Sequence, residues 1–442
     1  MKAVILAGGS VAVPGDLVSD AAQAGDEIYR LIEELYPLCR SISGDGVRET
    51  FELVNRVVPV RRTEVPTGTE VFDWVVPREW NVREAWIDAP DGTRVVDLRD
   101  SCLHVLGYST PIRARMPLSE LREHLFVHPD DADLIPFRTS YYHENWGFCL
   151  ARSTLDALPE GEYDVCIDST LADGSITYAE AFLPGSSEEE ILISTYSCHP
   201  SLANENVSGI AFLAVLGKYL STMRLRYSYR FLWSPGSIGP ISWLARNEQL
   251  LPSIRGGLVA TCLGDRGHMT YKQSRRGDAE IDRAVAIALR DAGAEHEVRP
   301  FVPLGGDERQ FCSPGINLAM GALSRTPADE FPEYHSSADN LELVRPDRLA
   351  DSFAMYARVI DIVERNGRWR NTNPKGEPQL GKRGLYRNVG GGSSQEAALL
   401  WVLNLSDGDH DLLTIAERSN LEFTEIAGAA DRLRECDLLV PA

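Results

Sequence analysis

Two histidines and one glutamate in this chain have the types and surroundings that suit a divalent metal. His199 stands in Ser197-Cys198-His199-Pro200-Ser201, directly after the apolar run Ile191–Tyr196. Glu205 lies six residues further on, in Ala203-Asn204-Glu205-Asn206-Val207-Ser208-Gly209, where a helix begins. In an open α/β sheet, residues at the carboxyl end of a strand face the ligand crevice. Zn2+ takes imidazole nitrogen and carboxylate oxygen together. A lone His with a Glu also describes a hydrogen-bonded loop, and short motifs match by chance. A second corner changes that balance. Glu333-Tyr334-His335-Ser336-Ser337-Ala338-Asp339-Asn340 follows the β-like run Ile316–Leu323. The chain has only nine His, and two of them fall in loops at this edge.

The elements that must hold these residues alternate between strand and helix. Tyr163–Ser169, Thr177–Phe182, Glu190–Tyr196, Tyr227–Trp233, Gly257–Leu263, Met269–Gln273 and Ile316–Leu323 read as strands. Ile210–Met223 reads as an amphipathic helix with Phe212, Leu213, Leu216 and Leu220 on one face. Ile241–Leu250, Asp278–Ala292 and Pro346–Asn366 read as further helices, as do segments between Asp26 and Val58. The alternation predicts an α/β domain, with a mostly parallel sheet flanked by helices. It is expected over residues 25–67 and 151–372.

Residues 68–150 differ. Short β-like pieces such as Val71–Val76 and Arg94–Leu98 alternate with Pro and Gly turns, and Trp74, Trp80, Trp86 and Trp146 all occur here. This predicts a small β-rich insert over one side of a cleft. From it Tyr142, His143 and Trp146 are candidates to reach the substrate, although such aromatic residues also serve as buried core. Residues 373–442 predict three short helices at about 393–403, 412–419 and 422–436, a winged-helix-like domain. Residues 1–24 are expected to be a flexible tail. The opening Met1-Lys2-Ala3-Val4-Ile5-Leu6-Ala7-Gly8-Gly9 resembles the phosphate-binding start of sugar-nucleotide transferases but lacks the arginine that follows there. It also makes a poor secretion signal.

Bulk properties narrow the function. The 442 residues exceed one ordinary domain. Lys and Arg number 44 against 65 Asp and Glu, a formal charge of −21. Such a surface repels phosphate backbones and anionic lipid. The eight Cys are scattered without a C-x-x-C pair, which fits a reducing cytoplasm. No stretch approaches the ~20 apolar residues of a membrane span.

The His199 and His335 segments together resemble the zinc aminopeptidase clan, which includes bacterial leucyl-type aminopeptidases and glutaminyl cyclases. There a helix-opening A-N-D-N-x-S-G segment supplies an acidic ligand, and Glu205 stands in place of its Asp. An H-T/S-x-x-D segment carries the last His ligand, as in His335-Ser336-Ser337-Ala338-Asp339. The resemblance implies Asp265 as a further acidic ligand, with a loop or helix-cap role as the plainer alternative. It also places Asp307 near the metal as a ligand or proton shuttle. The clan's Glu-Glu pair, general base and metal ligand, is absent. Ser234-Pro235-Gly236-Ser237-Ile238-Gly239 stands there instead.

A longer resemblance runs from about residue 30 to the end, to a bacterial family of aminopeptidase-like proteins with a small insert and a C-terminal winged helix. Leu38-Cys39-Arg40-Ser41-Ile42-Ser43-Gly44-Asp45-Gly46, Val71-Phe72-Asp73-Trp74, Tyr141-Tyr142-His143-Glu144-Asn145-Trp146-Gly147-Phe148-Cys149 and Gly306-Asp307-Glu308-Arg309-Gln310-Phe311-Cys312 carry it. Members often accompany polysaccharide or antibiotic biosynthesis genes. The expected function is zinc-dependent hydrolysis of an amide in an aminoacyl or small peptide-like substrate. His199, Glu205 and His335 would bind Zn2+, Asp307 or Glu308 would move the proton, and Arg309 would grip a substrate carboxylate. The alternatives are a catalytically degenerate binding protein, or an aminoacyl transferase or cyclase, on the same fold. The expected partners are the small substrate and further copies of the chain, not a membrane. Nucleic acid is disfavoured, because the last helix carries Glu422, Glu425, Asp431 and Glu435 against Arg432 and Arg434.

Overall fold

Glu190–Tyr196 and Ser228–Ser234 are buried at every position. That is the signature of strands covered on both faces. The computed structural model describes residues 14–385 and 394–442, and in it eight strands form one sheet. They are β1 (Arg61–Pro66), β2 (Ser175–Leu183), β3 (Glu190–Tyr196), β4 (Ser228–Ser234), β5 (Ile254–Ala260), β6 (Met269–Lys272), β7 (His296–Arg299) and β8 (Met320–Ser324). Their order across the sheet is β1-β2-β4-β3-β5-β8-β6-β7. The centre, β4-β3-β5-β8, is parallel. Antiparallel pairing appears toward the flanks, where β1 meets β2, β2 meets β4, and β6 meets β8.

Side chains alternate between the two faces, as the strand period of two requires. Ile191, Ile193, Phe231, Trp233, Leu258 and Ala260 enter one core, which is built with helices α1 (Ala21–Leu35), α2 (Asp45–Val57), α3 (Ser208–Leu220), α5 (Glu280–Ala292) and α6 (Pro346–Arg365). Leu192, Tyr196, Leu232 and Val259 enter the other, with α4 (Ile238–Arg246) and the insert. Helix α3 is buried all round except near Lys218 and Tyr219, so the single apolar face expected from its sequence is only part of its contact surface.

The insert builds its own antiparallel sheet from Arg94–Asp97, Glu79–Asp88, Glu162–Ala172 and Ile112–Pro117. It therefore runs past residue 150. Glu162–Ala172, expected in the α/β sheet, pairs here because Tyr163, Val165 and Ile167 alternate inward against Ala85 and Ile87.

Residues 14–24, expected as tail, are structured. Pro14–Asp20 forms a short helix with Leu17 fully buried, and α1 begins at Ala21. The opening glycine turn lies outside the described residues.

The C-terminal domain has helices α7 (Ser394–Leu405), α8 (Leu412–Ser419) and α9 (Phe423–Glu435). Its three-stranded sheet, Arg368–Asn371 with Asp407–Asp411 and Leu439–Pro441, starts a few residues before the expected boundary at 373. Arg283 of α5 docks it by donating to Asp411, Glu417 and Thr414. Among the described residues no helix is long and apolar enough to cross a membrane.

One ion cluster ties together the strands that carry the site loops. Arg230 of β4 lies 3.0 Å from Glu180 of β2 and 2.7 Å from Glu190 of β3, all nearly buried. Trp243 of α4 also donates to Glu180. Arg230→Met would leave Glu190 without a cation and Glu180 with only the exposed Arg61. Removing one partner of a buried pair costs about 3–5 kcal/mol, so the melting temperature should fall by calorimetry. Adding Glu180→Gln and Glu190→Gln should restore part of the loss. An unchanged melting temperature in Arg230→Met would show that the cluster does not stabilise the sheet.

Candidate metal centre

Three loops meet at the carboxyl edge of the parallel strands. The loop after β3 brings His199, the turn before α3 brings Glu205, and the loop after β8 brings His335. One ligand atom from each lies within 4.8 Å of the other two. His335 Nε2 is 3.3 Å from His199 Nε2 and 3.1 Å from Glu205 Oε2, and His199 Nε2 is 4.0 Å from Glu205 Oε1. Glu205 Oε2 is buried, and the His335 imidazole is the one group set against it. Two nitrogens and an oxygen converging on one point are a donor set of the kind that zinc takes. A cation there would give the buried oxygen a charged partner.

The surroundings fix these three groups. Asp339 accepts from the backbone N–H of Asn204 at 2.6 Å and of Glu205 at 2.9 Å. Tyr196 donates to Glu205 Oε1 at 3.0 Å and accepts from Thr261. Arg40, fully buried, donates to the His199 carbonyl at 3.0 Å. Phe137 of the insert puts its ring 5.0 Å from His199 and 5.1 Å from His335, and its N–H donates to the His335 carbonyl. The Glu205–Asn206 peptide is cis. His335, Ser201, Ser237 and Cys262 all have positive φ without being glycine, a conformation that tends to gather at functional sites. Burial pushes the His199 pKa down, helped by His335 and Arg40, which keeps the imidazole in its metal-binding neutral form. Burial raises Glu205, and pushes Asp339 up to about 7.

The remaining candidates separate into groups. Asp307 is buried, and its Oδ1 accepts from Ser237 N–H at 2.9 Å while Oδ2 has no partner. Burial pushes it up to about 7. Arg309 stands beside it, 3.4 Å from Ser237 Oγ, with its Nε buried and unpartnered. Glu308 turns the other way and is ion-paired with Lys272 in the wall of a neighbouring cavity of about 390 Å3, which Tyr196 and Thr261 also line.

Two candidates are engaged elsewhere. Asp265 braces its own loop, accepting from Asn204 Nδ2, Gly267 N–H and Thr326 Oγ1, and stands outside the ligand triangle. Trp146 stacks on His124 with ring centres 3.6 Å apart inside the insert, so it packs rather than reaching for substrate. Tyr142 and His143 line a separate insert cavity of about 250 Å3, and Tyr142 packs edge-on against Trp74.

Cys198 also departs from expectation. Alternation along a strand would point it away from His199. Beyond the strand end that rule no longer holds, and Cys198 Sγ lies 3.4 Å from His199 Nδ1. Burial pushes the thiol up to about 12, which favours the protonated form over the nucleophilic thiolate.

Sequence reasoning did not single out Tyr196, Phe137, Arg40 or Asp339 as parts of the site. Asp339 had a signal, since it ends the His335 segment. The other three act through contacts between distant segments, and no local pattern marks them.

The family described as a domain of unknown function (DUF4910) matches residues 29–366, and a winged helix-turn-helix family matches residues 367–441. A Clostridium acetobutylicum protein named for polysaccharide biosynthesis, with an aminopeptidase-like domain, is 50% identical over 425 residues. The match covers 96% of this chain and 98% of that protein. A crystal structure of a candidate peptidase from Clostridium acetobutylicum superposes with a TM-score of 0.93 at 48% identity, over 97% of this chain and 99% of that one. A zinc aminopeptidase from Bacillus subtilis superposes with a TM-score of 0.56 at 11% identity, over 77% of this chain and 94% of its own, a likeness of fold alone. With its α/β sheet, small insert and C-terminal winged helix, the chain belongs to the DUF4910 family of aminopeptidase-like proteins.

Proposed function

We propose that this protein is a zinc-dependent amide hydrolase acting on an aminoacyl or small peptide-like group. The observation that carries the reading is the convergence of His199 Nε2, His335 Nε2 and a buried Glu205 oxygen on one point. These residues would hold the ion, which when bound supplies polarisation of the scissile carbonyl and acidification of water.

The chain's own groups do the rest. Tyr196 and Asp339 keep Glu205 aimed at the two imidazoles. Asp307, raised to about 7, can take a proton near neutrality and return it to a leaving amine. Ser237 N–H, at the strand end where the clan's Glu-Glu pair would stand, holds Asp307 there instead. Arg309 offers a buried unpartnered Nε beside Asp307, a donor for a substrate carboxylate or carbonyl. The cavity beside Tyr196, with Val302 and Leu304 at its exposed lip, offers an apolar seat for the rest of the substrate. The Clostridium relative's name supports a substrate met in polysaccharide biosynthesis, such as a carbohydrate-linked aminoacyl amide. A binding protein on the same fold is the second reading, favoured by Ser-Pro-Gly-Ser in place of Glu-Glu.

Two measurements test the hydrolase. Purified wild-type protein should contain stoichiometric zinc by elemental analysis, and His199→Ala and His335→Ala should each lose most of it. Full zinc content in both variants would refute the ligand set. A base acts as its carboxylate, present above its pKa. Hydrolysis of aminoacyl amides should therefore fall about tenfold per pH unit below about pH 7. Asp307→Asn should lose on the order of 10²–10⁴ in rate and with it the acid limb. A limb that persists in this variant would remove Asp307 from the mechanism, and a zinc-loaded protein inert toward every such amide would favour the binding reading.

A further inference from the structure

A cavity of about 920 Å3 lies between the α/β domain and the winged-helix domain. On one side stand Arg226 and Tyr227, just ahead of β4, and Arg255 near the start of β5. Arg283 of α5 and Arg365 of α6 continue the wall. The winged-helix domain contributes Arg368, Trp369 and Arg434. The cavity therefore sits at the amino-terminal edge of the parallel strands, and the metal centre sits at their carboxyl edge. β4 alone spans seven residues, about 20 Å, between the two. This is a separate site.

The charge of this cavity runs against the rest of the protein. The chain carries −21 overall, yet six arginines face four side-chain carboxylates here, Glu280, Glu364, Asp411 and Asp431. Each carboxylate is already engaged. Glu280 pairs with Arg255, Asp411 with Arg283, and Asp431 with Arg365. Glu364 accepts from Tyr227 N–H and Tyr229 Oη.

The donors left over converge. The Arg226 guanidinium reaches only the Asn366 carbonyl and the Tyr227 ring. The Arg368 guanidinium makes no hydrogen bond or ion pair among the described residues, while its backbone carbonyl accepts from Ala442 N–H. Trp369 Nε1 is buried without an acceptor, and Arg434, already paired with Asp431, lies 5.1 Å over its ring. Gly367 shows how close two of these donors come. A Cβ on it would lie 3.8 Å from Trp369 Nε1 and 3.9 Å from Arg226 Nη1, so an open point is shared by both. Guanidinium is the group suited to phosphate, and a buried indole N–H without a partner marks a missing acceptor.

We propose that this cavity binds a diphosphate-bearing small molecule. Its phosphates rest on Arg226, Arg368 and Trp369 Nε1. The volume, near the upper end of small-molecule sites, leaves room for a nucleoside or sugar beyond the phosphates. Because the two domains share the walls, the ligand bridges them and stabilises the docked winged helix.

Titration calorimetry on the full chain tests this, with pyrophosphate and ADP as probes and sulfate at equal ionic strength as control. Binding of either probe, with sulfate silent, is the expected result. A tighter ADP complex assigns a nucleotide, and equal affinities assign the diphosphate alone. Both support the site. Arg226→Ala and Arg368→Ala should each weaken binding about tenfold. Gly367→Ala meets no close contact, so it should fold normally while crowding the open point and weakening binding similarly. Arg62→Ala on the opposite flank and His199→Ala at the metal centre should leave the affinity unchanged. No binding of either probe at about 1 mM, or full affinity in all three cavity variants, would overturn the proposal.

Discussion

Asp339 joins two of the three ligand-bearing loops through a pair of short hydrogen bonds. Its carboxylate accepts from the N–H groups of Asn204 and Glu205, and its carbonyl accepts from Ala203 N–H. His335 lies four residues before it and Glu205 lies in the turn it clamps. Fixing this one carboxyl fixes the approach of an imidazole from the loop after β8 to a carboxylate from the turn before α3. His199 is brought to the same point by β3 itself. The parallel centre of the sheet ends all its strands at one edge, and that edge is where loops can meet. Stiffness in the sheet is thereby passed to the site, because Tyr196, the last residue of β3, also grips Glu205.

Burial sets the electrostatics of this edge. His199, Glu205, Asp307 and Asp339 all have pKa values shifted first of all by desolvation, each toward its neutral form. Without a cation, a buried carboxylate has only the edge of the His335 imidazole to compensate it. With a cation, the neutral imidazoles and the oxygen become a complete donor set. The insert contributes to that desolvation. Phe137 lies against both imidazoles, and Ile135 and Phe137 pair with the His335 loop through the backbone. The β-rich insert thus forms one wall of the site as well as covering a face of the sheet.

Most of the α/β order was legible in the sequence, because fully buried strands and long helices leave strong patterns. The central strands and the helices α5 and α6 fall close to where periodicity puts them. Glu162–Ala172 was misassigned because an apolar strand does not say which sheet it joins. That is decided by pairing with Glu79–Asp88, distant in sequence. The short helix Pro14–Asp20 is not legible in the sequence because its seven residues pack by tertiary contact with α6 rather than by a repeating pattern. In the site, His199, Glu205 and His335 were readable from chemistry and position. Asp265 carried the same kind of signal and is spent on its loop, since a carboxylate near a strand end caps backbone N–H groups as readily as it binds a cation.

The acid beside the end of β4 comes from a distant loop. The strand end at Ser234-Pro235-Gly236-Ser237 carries no carboxylate of its own. What it carries is a backbone donor, Ser237 N–H at positive φ, just ahead of α4. That donor holds Asp307 from another loop, and it leaves Oδ2 free in a buried setting. A carboxyl placed this way differs from a metal-ligand glutamate. Burial outweighs the Ser237 donor and the nearby Arg309 charge, so its pKa rises toward neutrality. A group with that property can exchange a proton at ordinary pH, which a carboxylate tied to a metal cannot do as readily. The end of β4 thus has a buried carboxyl beside it although the strand itself supplies none.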